Sequence, residues 1–124
     1  MNTKEASAPS DAIAQLRDAL RLFAADRDWA QFHSPKNLAI ALSVEAAELL
    51  EPFQWLKEGT ASELGPERLA AVSEEMADVL LYLVMLADKL GVDLLAASRD
   101  KLEKNAFKYP VEKARGSSRK YTEL

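Results

Sequence analysis

PERLAAVSEEMADVLLYLVMLADKL, residues 66–90, carries its large apolar side chains at Leu69, Val72, Met76, Val79, Leu83, Leu86 and Leu90. Steps of three and four residues alternate, which is the seam of a helix packed lengthwise against neighbours. Gly91 ends the run, and Asp93 can cap a further helix to about Lys108. That helix stops before Tyr109-Pro110, because a residue preceding proline avoids the helical region. On the N-terminal side, residues 58–65 contain Gly59 and Gly65 and read as a loop. Before it, Ser34 followed by Pro35 opens a helix that the pattern carries to about Lys57. Pro52 removes the bond to the carbonyl of Glu48, so a kink or an early end is expected there. Ser10-Asp11 can cap a first helix to about Asp28, with Ile13, Leu16, Leu20 and Phe23 on one face. Residues 1–9 read as a disordered leader, 10–110 as the helical domain and 111–124 as a tail that is basic up to Tyr121. No strand pattern or repeat competes. The fold class is all-α, an antiparallel bundle of four main helices.

At 124 residues the chain is one domain, able to bury roughly two thirds of its extended surface. A net charge of -4 with no broad basic stripe argues against duplex nucleic acid as partner. The absence of cysteine excludes disulfides, thiolate chemistry and cysteine-ligated zinc. Val79 to Ala87, the longest apolar run, is too short to span a bilayer, and residues 1–10 lack a signal-peptide core. No membrane association is expected, and the default location is cytoplasmic.

Two phrases carry the chemistry: Glu45-Ala-Ala-Glu48 and Glu75-Met-Ala-Asp78. Three-residue spacing puts both carboxylates of each pair on one helix face. Four like charges converging in a partly buried place repel unless a cation lies between them. With no sulfur or imidazole in the motifs, the oxygen donors favour Mg²⁺, with Mn²⁺ as a possible substitute. Tyr82 continues the Glu75–Asp78 stripe and Trp55 continues that of Glu45–Glu48. The two aromatics would outline a pocket that is acidic at one end and flat at the other. A nucleoside triphosphate has that polarity. An isolated Glu-x-x-Glu is usually a solvated surface pair. Two pairs beside apolar seams, neither with a Lys or Arg at i+4, are not. His33 by itself reads equally as a loop histidine, and Trp29 and Trp55 could be core. A di-iron bundle needs Glu-x-x-His on two helices, and His33 sits in no such motif.

The order of the two acidic motifs resembles the all-alpha nucleoside triphosphate pyrophosphohydrolases called MazG-like. Phe23-Ala-Ala-Asp-Arg-Asp-Trp29, Gln31-Phe32-His33, Phe53-Gln54-Trp55, Glu74-Glu75-Met-Ala-Asp78-Val-Leu-Leu-Tyr82, Asn105, Tyr109-Pro110-Val111, Arg115-Gly116-Ser117 and Lys120-Tyr121 are similar to the dCTP pyrophosphatase branch. The resemblance implies hydrolysis of dCTP, or a base-modified relative, to the monophosphate and pyrophosphate. It implies Glu45, Glu48, Glu75 and Asp78 as magnesium ligands. Trp29, His33, Trp55, Tyr82 and Asn105 would line the nucleotide pocket, with Lys101 reaching the phosphates. It also implies a homo-oligomer, a tetramer before a dimer, with pockets built partly by neighbouring subunits. Relatives carry a histidine where Leu20 stands here, a departure that bears on base preference rather than on metal chemistry.

In such a reaction water attacks the α-phosphorus, and one carboxylate, Glu48 by preference, takes its proton. Two other readings are open to these residues. One is a broad-range hydrolase of non-standard nucleotides. The other is a non-catalytic helical interaction protein whose acids are solvated.

Overall fold

The structure is a computed structural model and describes residues 11–124; the expected leader, residues 1–9, lies outside the described residues. Four long helices, α1 (Ala12–Asp26), α2 (Pro35–Leu50), α3 (Ala61–Leu90) and α4 (Leu94–Lys108), are followed by a short α5 (Val111–Ala114). No strand occurs among the described residues, and no helix there is long and apolar enough to cross a membrane. The all-α expectation holds. Two compact units divide the chain, one ending at Gly91 and one beginning at Val92.

In the first unit each helix starts on a side-chain cap. The Asp11 carboxylate accepts from the Ala14 N–H at 2.7 Å, and the Ser34 hydroxyl accepts from the Asn37 N–H at 3.1 Å. Both satisfy donors that a helix N-terminus leaves unpaired. α2 does not run to Lys57 but stops at Leu50, and Glu51–Phe53 forms a 3-10 turn. The cause is Pro52: it cannot donate to the Glu48 carbonyl, which instead takes the tighter bond from the Glu51 N–H. Between Gly59 and Gly65 the chain is not all loop. Thr60 caps a first turn, Ala61 to Leu64, by accepting from the Glu63 N–H at 3.2 Å. Gly65 breaks that turn at φ 74, and the long helix proper resumes at Pro66, where the apolar pattern begins. Arg68 repairs the break: its guanidinium donates to the Leu64 carbonyl at 2.8 Å and the Glu63 carbonyl at 2.9 Å. Gly91 closes α3 in the left-handed region at φ 67.

The core of this unit is small. Leu38 of α2 and Val84 of α3 are 1% and 2% exposed. Burial of such a side chain is worth about 1.5–3 kcal/mol. Ala24, Leu64, Val72 and Ala87 complete it. Of the α3 seam only Val72 is buried; Leu69, Met76, Leu83 and Leu90 remain exposed, as do Ile40 and Val44 on α2. The periodicity marks an apolar face correctly, but one chain does not cover it.

In the second unit Asp93 caps α4 by accepting from the Ala96 N–H at 3.0 Å, and α4 ends before Tyr109-Pro110 as expected. The tail is ordered by aromatic contact. The rings of Tyr109 and Tyr121 meet edge to face at 6.0 Å, and the Lys108 ammonium lies 4.8 Å from the Tyr121 centroid.

Candidate metal centre

α2 and α3 run antiparallel, and three points fix their register. At one end the Glu63 carboxylate accepts the backbone N–H groups of Lys57 and Glu58 at 3.2 and 3.3 Å. In the middle Glu45 and Glu48 meet Glu75. At the other end His33, just ahead of α2, shares a cavity with Val84, Met85 and Asp88 of α3.

One oxygen from each of Glu45, Glu48 and Glu75 lies within 4.8 Å of the other two. No lysine or arginine pairs with them among the described residues. Oε2 of Glu45 and Oε2 of Glu75 are buried without a hydrogen-bond partner. As ionised carboxylates neither can donate to the other, so both oxygens lack what burial demands. A proton is one remedy: held on Glu45, it can be shared with Glu75. That hydrogen bond comes first among the causes that push the Glu45 carboxyl up to about 7, followed by burial and by the neighbouring Glu48. A divalent cation is the other remedy, since it satisfies the same inward-facing oxygens and cancels the repulsion. The donor set, oxygen only, fits Mg²⁺ or Mn²⁺.

Asp78, the fourth expected ligand, stands one helical turn beyond Glu75, half-buried and outside the three-oxygen group. Tyr82 follows it on α3, half-buried and about 10 Å along the axis from Glu75. Beyond Tyr82 opens a cavity of about 230 Å³, lined by Leu20, Ala24, Ala30, His33, Val84 and Met85. Arg21 and Asp88 close its edge. The Arg21 Nε donates to Asp88 at 2.8 Å, holding the Asp88 carboxyl below its ordinary range and raising the guanidinium.

Trp55 is not where the helical stripe puts it. Because α2 ends at Leu50, Trp55 sits in the turn that Glu63 and Phe53 hold, and it is 88% exposed. It lies at the Glu63 end of the α2–α3 pair, about 25 Å of helix axis from Tyr82. One chain therefore does not bring these two aromatics to a common pocket. Trp29 lies at the α1–α2 corner, edge-on to Phe23 at 5.7 Å. Lys101 and Asn105 sit one turn apart on α4 in the second unit, beside a shallow depression shared with Ala97, Ser98 and Leu102. Leu20 was legible as an apolar-face residue of α1 and as a departure from the histidine of relatives, but its place in the cavity was not. The cavity-lining Val84 and Met85, and the Arg21–Asp88 pair, carry no local signal, since only the packing of α1 on α3 joins them.

Known proteins resemble this chain in sequence and in fold. A profile of the MazG-like family matches residues 40–124. Human (Homo sapiens) dCTP pyrophosphatase 1 is 48% identical over 118 residues, covering 94% of this chain and 69% of that protein. The protein of the same name from Bos taurus is 47% identical over 114 residues, covering 88% and 68%. Among solved structures, a pyrophosphatase from Archaeoglobus fulgidus superimposes with a TM-score of 0.75 at 42% identity, covering 83% of this chain and 96% of that one.

Proposed function

The chain belongs to the MazG-like family, a hydrolase acting on a phosphoanhydride, and from that premise we propose that it converts dCTP, or a base-modified dCTP, to the monophosphate and pyrophosphate. The observation that carries this reading is the pair of buried, unpartnered oxygens on Glu45 and Glu75, facing each other across two helices beside Glu48. Along α3 the order is carboxylates, then Tyr82, then the cavity of Leu20 and His33. That sequence of environments suits phosphates, sugar and base in turn.

Glu45, Glu48 and Glu75 would hold Mg²⁺, with Asp78 joining them from the next turn. A bound ion would neutralise phosphate charge and lower the pKa of an attacking water. The water oxygen bonds to the α-phosphorus, the bond to the oxygen bridging toward the β-phosphate breaks, and pyrophosphate leaves. Glu48, beside Glu45 and Glu75, would take the water's proton. Asn105, which both donates and accepts, suits a cytosine edge, and Lys101 suits the outer phosphates. Both enter through the resemblance to the family alone, with residues 10–110 read as one helical domain. Leu20 gives the cavity an apolar wall, which suits an apolar substituent on the pyrimidine.

The working form is a homo-oligomer, with a tetramer favoured. Its support is the uncovered apolar face of Ile40, Val44, Leu69, Met76 and Leu83, together with Trp55, which is exposed at the end of the pair opposite His33. A second copy packed antiparallel on this face brings its own Trp55 toward the first copy's cavity. A cytoplasmic location remains part of the reading.

Product analysis on a nucleotide panel, with and without chelator and beside Glu75→Gln, tests it. Monophosphate plus pyrophosphate from dCTP is expected, with 5-methyl-dCTP cleaved at least as well, and loss of both on chelation and in the variant. Equal rates on dCTP and dATP would remove the base assignment. No turnover of any nucleotide would remove the enzyme.

A further inference from the structure

The cavity between α1 and α3 has an apolar floor and a charged edge. Leu20, Ala24, Ala30, Val84 and Met85 bring no side-chain hydrogen bond, so polar recognition inside it falls to the edge. Arg17, Arg21 and Lys89 stand there and can only donate. The side-chain acceptors are Asp88 and one ring nitrogen of His33. Asp88 is held in place from α1: Arg21 Nε donates to its Oδ2 at 2.8 Å, and Arg21 Nη2 donates to its Oδ1. A planar guanidinium gripping both oxygens fixes the carboxylate, yet each oxygen keeps a second lone pair.

Stability explains little of this arrangement. Among the described residues it is the one ion pair that joins two helices, but the Arg21 side chain is 56% exposed, and pairs so open to water contribute little. The Asp88 side chain is only 20% exposed, at the edge of an apolar cavity where an acceptor with unused lone pairs favours a ligand that brings a donor. We propose that Asp88 discriminates among bases by accepting a hydrogen bond from the exocyclic 4-amino group of cytosine, and that Arg21 is the positioning residue that presents it. This rests on the nucleotide reading above. Asp88 follows Asp78 by ten residues, about 15 Å of helix axis, a span of the order of an extended nucleotide with its metal-bound phosphates. A carboxylate accepting from the cytosine amino group is a recurring pairing. Uracil and thymine put a carbonyl oxygen in that place, and two acceptors facing each other in a dry cavity are both left unpaired. The apolar floor cannot make this choice, because the pyrimidine rings have nearly the same shape.

Steady-state kinetics on the full-length protein test this with dCTP, dUTP and a dCTP analogue carrying hydrogen in place of the 4-amino group. A hydrogen bond to a charged group corresponds to about 10- to 100-fold, so the parent should favour dCTP over the analogue by about that factor in kcat/KM. Asp88→Ala should bring dCTP down to the level of the analogue. Asp88→Asn keeps the size of the side chain but adds a donor, so its dCTP-to-dUTP ratio should fall at least about tenfold, partly through a gain on dUTP. Arg21→Ala should raise KM for dCTP about fivefold, with kcat within about twofold. Melting temperatures of Asp88→Asn and Arg21→Ala should stay within about 5 °C of the parent. A dCTP preference that survives both Asp88→Ala and Asp88→Asn overturns the proposal and leaves the nucleotide reading standing. Equal loss on all three nucleotides in both variants reduces the pair to a tie between α1 and α3, and a parent that does not separate dCTP from the analogue also removes the assignment. No nucleotide turned over by the parent removes the nucleotide reading and this inference with it.

Discussion

Without a cation, Glu45 keeps a proton to about pH 7, far above its ordinary 4.5, because Glu75 and Glu48 are close and the carboxyl is withdrawn from water. The folded state therefore binds that proton more tightly than the unfolded chain, and the stability it lends is complete below about 4.5 and lost as pH rises toward 7. In chelator the melting temperature should fall between pH 5 and pH 7.5. Glu45→Gln should flatten that decline, and millimolar Mg²⁺ should do so in the parent protein by taking the proton's place. A flat profile in the chelated parent protein would show that the carboxylates do not share a proton. Asp88 works with the opposite sign: paired with Arg21, it is held below its usual value, so its contribution is present above the ordinary carboxylate range and disappears in acid. The two carboxylates govern different pH windows, and a melt series resolves them.

Of the described glycines, Gly59 in the turn after α2 is the most closely packed. A Cβ on Gly59 would meet Phe53 Cδ1 at 2.6 Å, and its φ of 72 is one an L side chain resists. Gly59→Ala should cost about 1–3 kcal/mol in urea unfolding. A smaller loss would mean that the Phe53 ring swings aside. How the turn forms was only half visible beforehand. Pro52 announced an interruption, but whether α2 would bend or stop depended on whether Glu51 could take over the Glu48 carbonyl, a matter of backbone geometry. Thr60 and Glu63, spaced as a capping box, did mark the first turn of α3, yet two flanking glycines drew the reading toward loop. Caps such as Ser34-Pro35 and Asp93 were legible because they act on neighbours three residues away. The three carboxylates were legible because spacing alone puts them on one face. The left-handed φ of 54 at Asp28 was not, since nothing in its identity distinguishes a strained aspartate from a relaxed one. Trp55 was misplaced for a single reason: its helical stripe was extended past the proline that ends it.

At the scale of the whole molecule, the antiparallel register puts Trp55 at one end of the α2–α3 pair and His33 at the other. If each pocket borrows Trp55 from a neighbour, two separately inactive variants should rescue one another. Mixing Glu75→Gln with Trp55→Ala under conditions that exchange subunits should restore about a quarter of parent activity, since half the random pairs are mixed and each mixed pair holds one intact pocket. No recovery in a verified hybrid would confine each pocket to one chain. The early stop of α2 has a consequence of another kind. Carboxylates ride on helices, whereas Trp29, His33 and Trp55 ride on the joints between them. Under the proposed function, inheritance could act on the two separately: substitutions and length changes in the joints would redraw which base is welcomed, while the framework proposed to cleave the phosphate would pass unaltered from one descendant to the next.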